Sequence, residues 1–167
     1  ISYETLFPSL ALIDGKIFAI GATDSKHTIS WEVTNFDTLY VYDPITNTWT
    51  KDRAPIPVPR YCPSADLVID GKWYFPGGFA HIQVANDIAF LHPAPFSRHD
   101  VYDPVSDRWE VRGSLPFPIN GKRIVLNGKI YITGGIKEDV YPHACLFVYD
   151  PSTDLWTQKA DMHVLRY

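Results

Sequence analysis

The stretch Ile124-Val125-Leu126-Asn127-Gly128-Lys129-Ile130-Tyr131-Ile132-Thr133-Gly134-Gly135, answered downstream by Tyr149-Asp150-Pro151-Ser152-Thr153-Asp154-Leu155-Trp156, decides how this chain of 167 residues is read. Two short apolar runs flank Asn-Gly, the dipeptide that supplies both positive-φ positions of a type I′ hairpin turn. The runs are too short for helices and apolar throughout instead of alternating, which predicts strands covered on both faces. After the paired glycines, Asp-Pro opens a second tight turn. Proline presets φ there, and the aspartate accepts a hydrogen bond from the backbone beyond it. Asp154 stands where a left-handed residue is needed. Tyr149 and Trp156 fall on the two strands of one hairpin, placed to cover the outer part of a sheet.

The signature occurs twice more upstream. Asp14-Gly15-Lys16 leads through Ile17-Phe18-Ala19-Ile20 to Gly21-Ala22, and Tyr42-Asp43-Pro44-Ile45-Thr46-Asn47-Thr48-Trp49 closes that copy. Asp70-Gly71-Lys72 leads through Trp73-Tyr74-Phe75 to Gly77-Gly78, and Tyr102-Asp103-Pro104 to Trp109 closes the next. The turn glycines are spaced by 56 and 57 residues, so each copy is one structural unit and the chain is an array of three. Paired glycines with neither a Gly-x-x-Gly-Lys-Ser/Thr pattern nor a following helix read as backbone devices and not as a phosphate cradle.

In order, spacing and turn chemistry these copies resemble the kelch repeat over nearly the whole chain; only Ala22 departs, replacing the second glycine of the first copy. The resemblance implies an all-β fold, a kelch-type β-propeller of three four-stranded antiparallel blades, half or fragment of a closed ring. Expected boundaries are 1–53, 54–113 and 114–160, with 161–167 beginning a connector to a further repeat. Closed propellers usually hold ~4 to 8 blades, and residues 160–167 match residues 54–61 in phase. The chain is therefore expected to be a segment of a longer propeller, or one of two copies completing a six-bladed ring, because a three-blade wedge leaves two apolar blade faces open.

Composition agrees with a soluble all-β protein: 46% hydrophobic and 14% aromatic residues suffice for a core, and 14 prolines with 10 glycines fit frequent turns. A net charge of −4 with scattered lysines and arginines carries no nucleic-acid footprint. No run is long enough to cross a bilayer, and no membrane role is expected. Cys62 and Cys145, in different repeats, make no disulfide framework and are expected as buried free thiols. A cytoplasmic location is favoured, with secretion kept open.

Kelch proteins mostly bind proteins or ligands, and enzymes are a minority. Loops joining second to third strands emerge with the inter-blade connectors on one face, and these loops differ in length: 23–37, 79–99 and 136–144. The resemblance places Arg60, Tyr61, His81, Arg123 and Lys137 by position around a central pocket, while Trp31 and Tyr141 add aromatic reach on the loops. Arg60 suits a carboxylate or phosphate through two-pronged hydrogen bonds, or else a stabilising bond to backbone carbonyls. Asp66 and Arg123 occupy matching places in successive repeats, for mutual pairing or for a ligand. His81, His92 and His99 have no usual zinc spacing, and no serine elbow is present. No catalytic residue, metal or cofactor is expected. The leading reading is a non-catalytic binding module for a protein or peptide partner; the alternative is a fragment of a sugar-acid epimerase (mutarotase) of the kelch type, none of whose acid–base residues can be placed.

Overall fold

The computed structural model describes residues 5–6, 9–20, 23–25, 33–35, 37–60, 66–82, 92–136 and 141–164. Strands and turns account for its regular structure, and no helix among the described residues is long and apolar enough to cross a membrane. Three four-stranded antiparallel sheets follow one another along the chain. Blade 1 is Ser9–Ile13, Lys16–Ile20, Tyr40–Asp43 and Thr48–Thr50. Blade 2 is Val68–Ile69, Lys72–Pro76, His99–Asp103 and Arg108–Arg112. Blade 3 is Asn120–Leu126, Lys129–Ile136, Leu146–Asp150 and Leu155–Lys159. Within each sheet the strands pair in chain order, and the described ladders join no strand of one blade to a strand of another. This is the kelch-type β-propeller arrangement expected from the repeats.

Local chemistry builds the hairpins as expected. Asp14, Asp70 and Asn127 have φ of 49°, 51° and 51°, and the glycines after them 74°, 72° and 69°, the paired left-handed residues of type I′ turns. Asn47, Asp107 and Asp154 are left-handed at 54°, 54° and 57°. In the Asp-Pro turns, Asp43 Oδ1 accepts from the Ile45 and Thr46 N–H groups, Asp103 Oδ1 from Val105 and Ser106, and Asp150 Oδ1 from Ser152. The other oxygen of each aspartate takes the lysine that follows the turn glycine: Lys16–Asp43 at 2.9 Å, Lys72–Asp103 at 3.0 Å and Lys129–Asp150 at 2.6 Å. That pairing links the two turns of one blade end, and its only sequence signal was a lysine in the same place in every copy. The Lys129 bond and the Ser152 bonds hold the Asp150 carboxyl at about 2, below its ordinary value.

Stacking of the blades makes the core. From blade 1, Ala11, Ile13, Phe18 and Val41 pack against Trp73, Phe75 and Tyr102 of blade 2, with Trp109 and Val68 at the margin. On the far side of blade 2, Leu67, Ile69, Tyr74 and Val101 pack against Ile130, Ile132, Phe147 and Tyr149 of blade 3. Each blade thus has a leading face, turned to the blade before it, and a trailing face, turned to the blade after it. Coverage on both faces holds for blade 2, whose Trp73, Tyr74 and Phe75 are all buried. The outer faces of blades 1 and 3 depart from it: Leu12, Ile17 and Trp49 stay exposed on one, Ile124 and Leu126 on the other. Cys145 is a buried free thiol as expected, whereas Cys62 and Ala22 lie outside the described residues.

Candidate functional site

Two polar devices lock the blades, and the first of them is repeated. In blade 2 the Tyr102 hydroxyl donates to Asp107 Oδ1 at 2.6 Å. The same oxygen accepts from the Ala54 N–H at 3.0 Å, and Trp109 Nε1–H donates to the Ala54 carbonyl at 2.9 Å. Blade 3 repeats the arrangement on Gly113: Tyr149 to Asp154 at 2.6 Å, Gly113 N–H to Asp154 at 2.7 Å, and Trp156 Nε1–H to the Gly113 carbonyl at 2.8 Å. A Tyr-Asp-Trp clasp therefore grips both backbone groups of one connector residue. These motif residues were expected to cover the outer blade, and their rings do stack, at 5.0 Å and 5.1 Å between centroids. Their further task, coupling one blade to the chain leaving the previous blade, was not legible because it pairs residues more than 40 apart. Burial and the hydrogen bond to Asp107 raise the Tyr102 hydroxyl well above its ordinary pKa, and burial with Asp154 does the same to Tyr149. Both aspartates are lowered, first by those tyrosines and next by the clasped backbone N–H. Trp156→Phe keeps an aromatic ring and removes the N–H donor, taking from the Gly113 carbonyl its shorter hydrogen bond and leaving the 3.3 Å contact with His99 Nδ1. We expect a loss of about 1–2 kcal/mol in urea unfolding at an unchanged m value.

The second device is centred on Arg60. Its side chain is fully buried, and Asp100 opposite it is too. Arg60 donates from Nε to the Gly77 carbonyl at 2.8 Å, from Nη1 to Val58 at 3.1 Å, and from Nη2 to Phe75 at 3.0 Å and Asp100 Oδ2 at 2.6 Å. Arg98 grips both oxygens of Asp100 at 2.8 Å. The rings of Phe75 and Phe96 lie 5.2 Å and 5.9 Å from the Arg60 guanidinium carbon. Gly77, at φ 66°, turns its carbonyl onto this arginine. A Cβ there would meet the Ile119 backbone oxygen at 3.0 Å and that of Phe96 at 3.1 Å, so conformation and space both require glycine. Among the described residues, the guanidinium groups of Arg60 and Arg98 share the Asp100 carboxylate.

The remaining candidates separate. Asp66, at φ 71°, accepts from Leu12 N–H at 3.0 Å, and its own N–H donates to the Leu10 carbonyl at 2.9 Å. It fastens blade 2 to the first strand of blade 1, so of the two readings offered for Asp66 and Arg123, mutual pairing is not the one found. Arg123 is buried, cross-strand from Ile132 on the face turned to blade 2. Tyr141 is 70% exposed. His81 lies in the strand Phe79–Ile82, while Tyr61, Lys137 and Trp31 lie outside the described residues. Among the described residues no group of three or more potential metal ligands gathers. His99 is buried between Tyr74, Tyr149 and Trp156, its Nδ1 3.3 Å from the Gly113 carbonyl, and burial lowers its pKa to about 4.

On the loop face, two of the loops fold into antiparallel ribbons. Thr23–Ser25 pairs with Val33–Asn35 and also with Thr5–Leu6. Phe79–Ile82 pairs with His92–Pro95 and adjoins Val33–Asn35. Pro93 and Pro95 stand inside the second ribbon. Phe96 N–H donates to the Gly78 carbonyl at 3.0 Å, so by strand alternation His92 and Ala94 face the paired strand, and Pro93 and Pro95 take the outward positions. That edge has no outward N–H to offer an added strand.

The kelch motif model matches residues 5–52 and 124–163. Among curated relatives, Kelch-like protein 35 of Mus musculus is 28% identical over 155 residues, covering 92% of this chain and 22% of its own. Kelch-like protein 24 of Rattus norvegicus is 34% identical over 127 residues, covering 75% of this chain and 18% of its own. The chain thus spans about a fifth of the length of these relatives. The solved structure of YjhT superposes with a TM-score of 0.75 at 18% identity, covering 95% of this chain and 53% of that one, a likeness of fold. With the motif model matching both outer repeats, and the four-stranded sheets and their turns recurring in all three, the chain belongs to the kelch-repeat family.

Proposed function

We propose that this chain is a binding module that recognises a protein or peptide on the face carrying the second-to-third-strand loops. The observation that supports this reading is the pair of adjoining ribbons, Thr23–Ser25 with Val33–Asn35 and Phe79–Ile82 with His92–Pro95, raised from blades 1 and 2 on a scaffold in which Arg60, Asp100 and Asp66 are tied into structural bonds. Recognition runs through side chains, since the outer ribbon edge carries prolines where a docked strand needs donors. Tyr141, Trp31, His81, Lys137 and Tyr61 are the proposed contact residues, with Arg98 the side of the buried cluster nearest solvent. Arg60 and Arg123 set the shape beneath them.

A displayed peptide library panned on the chain tests this. Calorimetric affinity for the enriched peptides is expected to fall at least tenfold with Tyr141→Ala or Trp31→Ala. It is expected to be unmoved by Ile45→Ser or Val105→Ser in the turns of the opposite face, both 92% exposed. An affinity that follows the opposite-face substitutions instead would refute the loop-face assignment.

A further inference from the structure

Asparagine followed by glycine occurs twice in the chain, as Asn120-Gly121 at the start of the strand Asn120–Leu126 and as Asn127-Gly128 just past its end. The flanking residues are nearly the same, Ile-Asn-Gly-Lys and Leu-Asn-Gly-Lys, so the local sequence gives the two pairs matched reactivity. The dipeptide carries a chemistry of its own. With no side chain on the second residue, its backbone nitrogen can swing onto the carbonyl carbon of the asparagine side chain, provided that the N–H is unbonded and its surroundings leave room. The fold gives the two pairs opposite surroundings.

Asn127 and Gly128 are the turn residues of the first hairpin of blade 3, at φ 51° and 69°. The ladder closes across them, Leu126 with Lys129, so the Gly128 N–H belongs to no strand pair. Both residues are exposed, and a Cβ placed on Gly128 would meet nothing within 4 Å. Gly121 is the reverse case. It is buried at the bulge between Asn120 and Lys122, where a Cβ would lie 2.6 Å from the Thr133 carbonyl oxygen and 2.7 Å from that of Gly134. Reaction at Asn120 has to wait until the first two strands of blade 3 part.

We propose that Asn127 is a self-modifying site, at which the folded chain converts its own asparagine to aspartate and isoaspartate in water. The Gly128 nitrogen gives its proton to hydroxide and attacks Cγ of Asn127. The new C–N bond closes a five-membered imide, and the side-chain nitrogen leaves as ammonia, taking a proton from water and so returning the hydroxide. A second water then opens the imide. Breaking the bond from nitrogen to Cγ gives aspartate; breaking the bond from nitrogen to the α-carbonyl carbon gives isoaspartate, whose backbone runs on through the side chain. In sum one water is consumed and one ammonia released.

The hairpin accepts one product and not the other. Aspartate already stands at this place in blades 1 and 2, as Asp14 and Asp70 at φ 49° and 51°, each ahead of a glycine and a lysine whose bond to Asp43 or Asp103 is intact. The aspartyl form therefore gives blade 3 the turn its neighbours have. Isoaspartate adds a carbon to the backbone of a two-residue loop whose type I′ geometry fixes the strand register, and it draws Lys129 away from Asp150, 2.6 Å off in the parent.

Peptide-mapping mass spectrometry of the 167-residue chain, held in mildly alkaline buffer with and without urea, follows both asparagines at once. In the folded chain Asn127 is expected to become acid at least ~tenfold faster than Asn120, which must first open its strand pair. In urea the two rates are expected to converge to within about threefold. Of the products separated by ion exchange, the aspartyl form is expected to unfold at the urea midpoint of Asn127→Asp and the isoaspartyl form at a lower one. Equal rates at 120 and 127 in the folded chain would overturn the proposal by showing that the turn protects its asparagine as the strand does. An isoaspartyl form as stable as the aspartyl one would overturn the distinction between the products.

Discussion

Arg60→Leu is expected to lower the unfolding free energy by about 3–5 kcal/mol, the range for removing one partner of a buried ion pair. The substitution strips donors from the carbonyls of Gly77 and Phe75 in a place closed to water, and takes from Asp100 one of its two arginines. Asp100→Ala is expected to cost as much, since it leaves the guanidinium groups of Arg60 and Arg98 together with no carboxylate between them. Because the two residues touch, the double variant Arg60→Leu/Asp100→Ala is expected to lose less than the sum of the single ones. Denaturant unfolding of the four proteins measures this. A loss below about 1 kcal/mol for Arg60→Leu would show that packing alone holds the connector onto blade 2, since single contacts are worth about that much.

Acidification is expected to weaken the chain first through His99. Its folded pKa of about 4 lies below the ordinary 6.5, chiefly because burial among aromatic rings disfavours the imidazolium; Asp100 and Asp154 oppose that shift and Arg60 adds to it. The unfolded chain therefore takes up the proton first as pH falls. Stability is intact above pH 6.5, declines between 6.5 and 4, and below 4 has lost about 3 kcal/mol at ~1.4 kcal/mol per pH unit. The lysine-bound carboxylates act lower: Asp43, Asp103 and Asp150 have depressed folded values, so their contribution is present above the ordinary carboxylate range and lost beneath it. His99→Phe keeps an aromatic ring at the blade 2–3 seam and removes the titration. Its stability is expected to be flat from pH 6.5 to 4.5, where the parent declines; an equal slope in both proteins would assign the decline to other groups.

The site was less legible in the sequence than the fold, and particular residues show why. Arg60 was identifiable from its place before the second repeat, but Asp100, 40 residues on, gave no sign of being its partner until the strands stood side by side. Asp66 and Arg123 matched in phase and so invited pairing, yet phase within a repeat says nothing about which neighbour a side chain meets. Asp66 meets the backbone of the blade before it, while Arg123 lies against the blade 2–3 core. Pro93 and Pro95 are tolerated inside a strand because an outward-facing edge position needs no N–H.

By itself the sequence determined the blade. Asp-Gly and Asn-Gly set φ within the residue, and Asp-Pro closes its turn within three residues, so hairpins follow from chemistry that needs no distant contact. Only the tertiary structure decided which faces are covered and which backbone the Tyr-Asp-Trp clasps of blades 2 and 3 grip. The physical reason is range: apolar burial and inter-blade hydrogen bonds join groups 40 to 55 residues apart, and their partners are chosen by the stacking of sheets, not by the residues adjacent in the chain.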